Sequence, residues 1–226
     1  FRSHRHGRAG RGDPRIHAQG ISMLKIWGRI SSINVRKVVL CAQMLDIPFV
    51  RMDAGLSFGV VNTPEYLALN PNAMVPAIED GPYTLWESNV IVRYLCAREG
   101  RLCPSDLRIR FLAEQWMDWQ QTTLNRASGV AFVQWIRTPE TQRNHHLIAQ
   151  SVEAAEPLFA LLNEKLQHQP FIAGDQLSMA DIPLACEVHR WWGLPQSRPS
   201  WPHLERWYAH MRQHPGAAGV LDLPLS

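Results

Sequence analysis

The sequence predicts an α/β domain over residues 23–100, a linker over residues 101–105 and an all-helical domain over residues 106–226. Three observations lead to this division. Up to Gly100, short strand-like runs and longer runs at helical spacing follow each other in the order β-α-β-α-β-β-α. The linker contains a proline, and the pattern beyond it is helical until the tail. With 226 residues, 46% of them hydrophobic, the chain can bury the cores of one or two domains.

Residues 1–22 are predicted to be a disordered leader or a non-native extension. They contain five Arg, three His and one Asp with little apolar content, a composition typical of disordered chains. The segment lacks the apolar run of a signal peptide, and Met23 directly precedes the first strand, so Met23 is the expected native start. A transit peptide or a nucleic-acid-binding arm is an alternative that the abundant glycine and the missing amphipathic stripe disfavour.

The charge balance argues against nucleic acid as the main partner of the folded part. The chain has 23 basic and 20 acidic residues, and leaving out the five Arg and one Asp of the leader leaves 18 and 19. A nearly neutral domain has no net attraction to a polyanion. The apolar stretches are too short to cross a bilayer, so we expect no membrane partner either.

Cysteine usage predicts a reduced, cytoplasmic protein without a metal site. The four cysteines are scattered, with no C-x-x-C pair and no histidine at metal-ligand spacing. Such cysteines suit the reducing cytosol better than a disulfide framework. We expect small buried side chains at Cys41, Cys96 and Cys186, which fall in helical patterns.

The first half of the α/β domain is predicted to consist of a strand at residues 24–27, a helix at residues 34–45 and a strand at residues 49–52. Apolar residues repeat at helical spacing within the helix, at Val35, Val38, Val39, Ala42 and Leu45. Pro48 ends this helix, because the residue before a proline is displaced from the helical region.

The second half is predicted to contain two helices, at residues 63–69 and 87–99, and two strands, at residues 75–78 and 84–86. Thr63-Pro64-Glu65 supplies a cap, a proline at the first helical position and an acid in the first turn. Glu79-Asp80-Gly81-Pro82 indicates a hairpin turn, and Gly100 stops the last helix. The resulting order, with a final antiparallel hairpin, is that of a thioredoxin-like domain.

Four helices are predicted in the second domain, over residues 107–123, 138–166, 178–190 and 203–212. Thr138-Pro139-Glu140 is the start signal of the second of these helices. Pro157 lies inside that helix and is expected to kink or break it, because proline lacks a backbone donor and clashes with the preceding turn.

Two polar residues before the first helix are candidate catalytic groups. Ser32 and Asn34 lie where the exposed N–H groups and the dipole of that helix favour negative charge. A hydroxyl at this position can donate a hydrogen bond to a bound thiolate and so lower the pKa of the thiol. The alternative is that both residues only cap the helix.

Two further segments have the chemistry to bind an extended peptide. Pro76 stands at the start of a strand, and a cis Val75–Pro76 bond would turn the backbone N–H and C=O of Val75 toward the groove. Ser88 and the neighbouring N–H groups at the next helix start can receive a carboxylate, and Glu87 can take an ammonium group. Together, Glu87 and Ser88 match an α-amino acid head group. A plain loop end and a plain helix start are the alternatives.

The ordered set of these segments resembles the cytosolic glutathione transferase family, and within it the bacterial glutathione transferase B type. The resemblance covers Met23 to the end of the chain. It is carried by Gly28-Arg29, Asn34-Val35, Asn70-Pro71-Asn72, Trp86-Glu87-Ser88-Asn89, Arg93-Tyr94-Leu95, Trp116-Met117-Asp118-Trp119, Arg137-Thr138-Pro139 and Ser178-Met179-Ala180-Asp181. It implies the glutathione transferase fold, a thioredoxin-like domain followed by an all-helical one, with glutathione as co-substrate and no metal.

The resemblance also implies roles for individual residues. Ser32 occupies the thiol-activating position, and Asn34 is the asparagine that some bacterial members use. Val75 would bind the cysteinyl backbone of glutathione, and Glu87 with Ser88 the γ-glutamyl end.

The glycyl carboxylate of glutathione has no clear partner by this resemblance. Met74 stands where many members carry a polar or basic residue, and the chain lacks the N-terminal catalytic tyrosine of several classes. Asn62, in the loop before the short helix, is the substitute candidate.

Four residues of the helical domain are candidates for the second-substrate pocket: Trp116, Trp119, Arg126 and Arg137. An arginine there would favour an acidic electrophile. Core packing of a tryptophan and a solvated position for Arg126 are the alternatives.

The function expected from these observations is attack of the glutathione thiolate on a small electrophile, such as a halide or an activated alkene. A glutathione-dependent reductase of disulfides or peroxides is an alternative, and a non-catalytic binding module is another. The resemblance further implies a homodimer.

Overall fold

The computed structural model describes residues 23–226, so the predicted leader at residues 1–22 lies outside the described residues. The first domain contains four strands and three helices: β1 (Leu24–Trp27), α1 (Ile33–Met44), β2 (Phe49–Met52), α2 (Pro64–Leu69), β3 (Ala77–Asp80), β4 (Tyr83–Trp86) and α3 (Ser88–Glu99). These follow the predicted order. β3 begins at Ala77 rather than at Val75, because Pro76 has no N–H group to donate to the neighbouring strand.

The four strands form one mixed sheet in the order β2-β1-β3-β4. β1 pairs with β2 in parallel and with β3 antiparallel, and β3 and β4 form the predicted hairpin. A sheet of this order and pairing, followed by helices, is the fold class that the sequence predicts, and that prediction is confirmed.

The second domain is built of five α-helices: α4 (Leu107–Trp119), α5 (Asn125–Phe132), α6 (His145–Lys165), α7 (Asp181–Trp192) and α8 (Pro202–Gln213). A π-helical segment at Gln120–Leu124 joins α4 to α5, and another at Val133–Arg137 follows α5. No helix among residues 23–226 is both long and apolar enough to span a membrane.

Two details of the predicted helices are wrong. The helix predicted to end at residue 123 continues in helical geometry to Arg137. Thr138-Pro139-Glu140 does not start the long helix but leads into a short 3-10 turn, Glu140–Gln142. α6 starts instead after Asn144, whose side chain accepts hydrogen bonds from the N–H groups of His146 and Leu147.

Of the two outcomes expected of Pro157, a kink or a break, the break does not occur in α6. The helix runs unbroken from His145 to Lys165. One face of it is buried against α5 and α8, through Ile148, Ser151, Ala155, Phe159 and Leu162. Packing along this face supplies the free energy that offsets the backbone hydrogen bond lost at the proline.

Helix α1 joins the two domains. It packs against α3 on one side and against α7 of the helical domain on the other. Val35, Val38, Leu40, Cys41 and Ala42 are fully buried within one continuous apolar core that includes residues of both domains. The N-terminus of α1 is therefore held in a fixed position relative to the second domain.

Candidate active site

A groove lined mainly by polar residues, called the polar groove below, opens beside the helical domain. The N-terminus of α1, the loop before β3 and the N-terminus of α3 form its walls. Its lining residues are Asn34, Asn70, Asn72, Met74, Val75, Pro76, Glu87, Ser88 and Gln121. The structure thus brings together five residues that the sequence singled out: Asn34, Met74, Val75, Glu87 and Ser88.

The two helix N-termini at the polar groove are linked by a hydrogen bond. The Ser88 hydroxyl donates to Oδ1 of Asn34 at 3.3 Å. Because Oδ1 of Asn34 is an acceptor there, its NH₂ group remains the donor that the side chain can present to a ligand. Asn34 is the second residue of α1 and does not cap it, so the cap alternative is wrong for this residue.

The start of α3 differs from the prediction by one residue. The helix begins at Ser88 rather than at Glu87; Glu87 is the N-cap, and its side chain makes no capping hydrogen bond. Glu87 has φ 73°, an unfavourable backbone conformation for a residue other than glycine. With no side chain capping the helix, the first N–H groups of α3 are free to bind a carboxylate.

The loop before β3 is held by two side chains. The Tyr66 hydroxyl donates to the Met74 carbonyl at 2.7 Å, and Nδ2 of Asn70 donates to the same oxygen at 2.9 Å. The bond between Val75 and Pro76 is cis. Val75 is half-buried in the groove wall, whereas the Met74 side chain is 62% exposed and makes no polar contact there.

Ser32 lies at the N-cap of α1 and is buried, yet its hydroxyl makes no capping hydrogen bond. Ser32 is thus at the cap position that the alternative gives it, but its side chain does not cap the helix. The hydroxyl keeps its donor for another partner. Along the chain, Ser32 lies between Ser31, which lines a second cavity described below, and Asn34, which lines the polar groove.

Gln121 is a residue of the polar groove that the sequence did not indicate. It lies in the π-helical segment after α4, and its Oε1 accepts a hydrogen bond from Nζ of Lys37 at 2.8 Å. With Oε1 so engaged, the NH₂ group of Gln121 is the part left to donate into the groove. Lys37 is fully buried, and burial lowers the pKa of its amine to about 8.

The second cavity, here called the arginine cavity, has a volume of about 460 Å³ and adjoins the loop before α1. It is lined by Arg29, Ile30, Ser31, Arg51, Asp53, Leu56, Ser57, Phe58, Arg137 and Ser226. Arg137 was a sequence candidate for the second-substrate pocket. Arg29 was not, because its position in the sequence does not show that its side chain turns toward the helical domain.

The other candidates line neither cavity. Trp116 is buried in the core with its ring 5.1 Å from that of Trp119 in an edge-to-face contact, the packing role left open by the sequence. Arg126 and Asn62 are exposed. A further cavity of about 490 Å³ lies at the interdomain linker and shares no residue with the polar groove or the arginine cavity.

Comparison with known proteins agrees with this architecture. The model of the glutathione S-transferase N-terminal domain matches residues 22–97, and that of the glutathione S-transferase C-terminal domain matches residues 146–210. Glutathione S-transferase GstB of Escherichia coli K12 is 36% identical over 208 residues, which are 90% of this chain and 100% of that protein. The chain belongs to the glutathione S-transferase family. The resemblance inferred from the sequence is confirmed.

A solved structure places glutathione in a protein similar to this glutathione S-transferase. The theta class glutathione S-transferase from Xanthomonas axonopodis pv. citri, with glutathione bound, has a TM-score of 0.87 and 39% identity. The match covers 90% of this chain and 99% of that chain. That protein binds glutathione, the co-substrate that the sequence of this chain predicts.

A more distant relative carries a different activity in its name. The disulfide-bond oxidoreductase YfcG of Escherichia coli K12 is 25% identical over 206 residues, covering 83% of this glutathione S-transferase and 90% of that protein.

Among residues 23–226, no group of three or more His, Cys, Asp or Glu side chains is arranged to hold a metal ion.

Proposed function

We propose that this glutathione S-transferase conjugates glutathione to a small electrophile such as a halide or an activated alkene, with glutathione bound in the polar groove. The observation that carries the proposal is the composition of the groove. Ser88 and the uncapped N-terminus of α3 suit a carboxylate, and Glu87 suits an ammonium group. These groups match the γ-glutamyl end of glutathione, and Gln121 adds a further donor.

A further groove residue, Val75, fits the cysteinyl part of the tripeptide. The backbone of Val75 is the pairing partner for the cysteinyl residue. The sulfur then lies near the N-terminus of α1, where the helix dipole and either the Ser32 hydroxyl or the Asn34 amide stabilise a thiolate. Ser32 is the preferred donor because it stands at the N-cap of α1 and its hydroxyl makes no hydrogen bond to any of residues 23–226, whereas the NH₂ group of Asn34 is the alternative donor.

The reaction needs no covalent bond to the protein. The thiolate attacks the electrophilic carbon, a C–S bond forms, and a halide leaves with the electron pair of the broken bond. With an activated alkene, the carbanion formed takes a proton from solvent. The protein contributes orientation of the two reactants and electrostatic stabilisation of the sulfur.

Calorimetric titration with glutathione tests the proposed binding site. We expect saturable binding to the wild-type protein. Ser88→Ala should weaken it by roughly 10-fold or more, because it removes the hydroxyl that turns from Asn34 to the charged carboxylate when glutathione binds. Ser197→Ala removes an exposed serine and is the matched control. Absence of binding at millimolar glutathione, or equal binding by both variants, would contradict the proposed site.

A glutathione-dependent disulfide reductase is the second candidate, favoured by the likeness to the oxidoreductase YfcG. No cysteine lines the polar groove, so a reductase would also have to use the thiolate of glutathione itself. Parallel assays with an aryl halide and with a small dialkyl disulfide separate the two activities. Glutathione binding without turnover of either compound would favour a non-catalytic binding module.

We also propose a cytoplasmic homodimer. Exposed apolar side chains on adjacent helices, Val90 on α3 and Leu107, Ile109 and Phe111 on α4, support a second copy of this chain as partner. Light scattering should give twice the mass of the chain, and a monomer at micromolar concentration would contradict the dimer.

A further inference from the structure

Two arginines of the arginine cavity lack an acidic side-chain partner among residues 23–226. Arg51 is paired with Asp53, but among residues 23–226 no carboxylate side chain lies at salt-bridge distance from Arg29 or Arg137. The Nε atoms of Arg29 and Arg137 are buried and have no hydrogen-bond partner. Burial and the positive charge of Arg137 lower the pKa of Arg29, and burial lowers that of Arg137. A bound anion would compensate the charge of Arg29 and would add to the main-chain oxygen partners of Arg137.

The backbone makes room for the Arg29 side chain. Gly55, which lies in the loop after β2, has φ +87°, and a Cβ atom built there would lie 2.7 Å from Nη1 of Arg29. A larger residue at position 55 would therefore displace the guanidinium group. The glycine lets Arg29 lie against the loop and on the wall of the cavity.

Arg137 is fixed from the other domain. Its guanidinium stacks over the ring of Phe132, 5.2 Å from the centroid. Nη2 donates to the carbonyl oxygen of Ser31 at 3.4 Å and to a main-chain oxygen of Ser226, the last residue, at 2.7 Å. Both of these bonds use Nη2, so Nη1 remains as a donor for a ligand. Arg29 and Arg137 thus approach one cavity from the two domains.

Part of the remaining wall of the arginine cavity is apolar. Leu56 and Phe58 are 63% and 51% exposed, and Ile30 lies beside them. Ser31 connects this wall to Ser32, the proposed thiolate donor. A ligand in the cavity is therefore next to the proposed position of the glutathione sulfur, with its apolar part on this wall and its anionic part at the arginines.

We propose that the arginine cavity binds the carboxylate of the second substrate, so that this enzyme prefers small electrophiles that carry a carboxylate over neutral ones. The inference rests on the proposed function and names its substrate class. Arg29 and Arg137 hold the carboxylate, and the apolar wall holds the carbon skeleton.

A matched pair of substrates tests this preference: 4-(chloromethyl)benzoate and the neutral 4-(chloromethyl)benzamide. In both, the glutathione sulfur forms a bond to the CH₂ carbon as the C–Cl bond breaks, chloride leaves with the electron pair, and the thiol proton goes to solvent. We expect wild-type kcat/KM, corrected for the uncatalysed reaction, to favour the carboxylate by roughly 10- to 100-fold, the effect of hydrogen bonds to a charged group.

Single substitutions test whether Arg29 and Arg137 cause the preference for the carboxylate substrate. Arg29→Gln and Arg137→Gln should each reduce the carboxylate-to-amide ratio by roughly 10-fold, because only the carboxylate carries the charge that the arginines bind. Arg137→Lys, which keeps the charge, should restore part of the ratio. Arg108→Gln removes the same charge from an exposed position outside the cavity and should leave the ratio unchanged.

The glycyl carboxylate of glutathione is the other carboxylate that these arginines would suit. To distinguish the two sources, each variant is also assayed with γ-glutamylcysteine, which lacks the glycine. If the arginines bind the acceptor, the ratio falls equally with either thiol. A ratio unaffected by both Gln variants, with the KM for glutathione raised but that for γ-glutamylcysteine unchanged, would overturn the proposal in favour of the glycyl carboxylate.

The remaining outcomes separate this inference from the proposed function. Equal wild-type turnover of benzoate and benzamide overturns the inference and leaves the conjugating activity established. No turnover of either compound overturns the proposed function and the inference with it.

Discussion

At the scale of single residues, the hydroxyl of Ser32 has the most direct consequence for catalysis. The residue is at the N-cap of α1, but its side chain makes no capping bond. We predict that Ser32→Ala lowers kcat/KM for conjugation by about 100-fold, the size of effect seen when one donor to a developing or stabilised anion is removed. Ser32→Thr keeps a hydroxyl and should retain much of the activity.

The matched variant at the neighbouring donor is Asn34→Ala. If Asn34 rather than Ser32 stabilises the thiolate, the larger loss and the shift of the pH–rate profile to higher pH will appear in Asn34→Ala. An unchanged pH profile in Ser32→Ala would remove that hydroxyl from the mechanism.

The residues of the site differ in how far the sequence could reveal them. Val75, Glu87 and Ser88 stand in segments whose local pattern places them at a strand start and a helix start, so their position follows from short-range signals. Gln121 reaches the polar groove only because the two domains pack as they do, and Arg29 lines its cavity by packing against the loop at Gly55. That packing depends on contacts between distant parts of the chain, which no local pattern encodes.

At the scale of secondary-structure elements, α7 depends on a buried carboxylate at its start. Asp181 is fully buried and accepts hydrogen bonds from the N–H groups of Ile172 and Ser178 and from Nε1 of Trp207, at 3.0, 2.9 and 2.8 Å. Burial raises the pKa of Asp181 to about 6 in spite of these bonds. The carboxylate thus joins α7, α8 and the preceding loop.

We predict that Asp181→Ala lowers the free energy of unfolding by about 3 kcal/mol or more, because three buried donors lose their acceptor. Urea denaturation measures the change. Asp175→Ala removes an exposed carboxylate from the same loop and should have little effect. A loss below about 1 kcal/mol in Asp181→Ala would show that the three donors find other partners.

The elements also show where local signals fail. The order of strands and helices follows from apolar spacing, and the structure confirms that order. The continuation of helical geometry to Arg137 and the survival of α6 through Pro157 do not follow from it. In both cases packing against neighbouring helices outweighs the preference of the local sequence.

At the scale of the whole molecule, Lys37 couples the two domains through its charge. It lies on α1, is fully buried and donates to Gln121 of the helical domain. Burial lowers the pKa of Lys37 in the folded protein to about 8, and the charges of Glu187 and Glu87 oppose this shift. In the unfolded chain a lysine titrates near its ordinary value of about 10.4.

The sign of the pH dependence follows from these two values. Between about pH 8 and 10.4 the unfolded chain holds a proton that the folded protein has released, so the contribution of Lys37 to stability rises with pH over this window. Below pH 8 both states are protonated and the cost of burying the charge is present in full. Lys37→Met should abolish this rise, as measured by unfolding at pH 7 and pH 10.

An unchanged pH slope in Lys37→Met would show that the amine is solvated in the folded protein. Lys37 also orients Gln121 of the polar groove, and glutathione binding by the same variant tests this role. Because Lys37 holds Oε1 of Gln121, Lys37→Met should also weaken binding of glutathione.

The central claim is that the fold holds glutathione with its sulfur as a thiolate at the N-terminus of α1. The most direct test is the pKa of the thiol of bound glutathione, measured from the ultraviolet absorbance of the thiolate as a function of pH. The account predicts a pKa below that of free glutathione in the wild-type protein, and a value closer to that of free glutathione in Ser32→Ala. A wild-type value equal to that of the free thiol would contradict it.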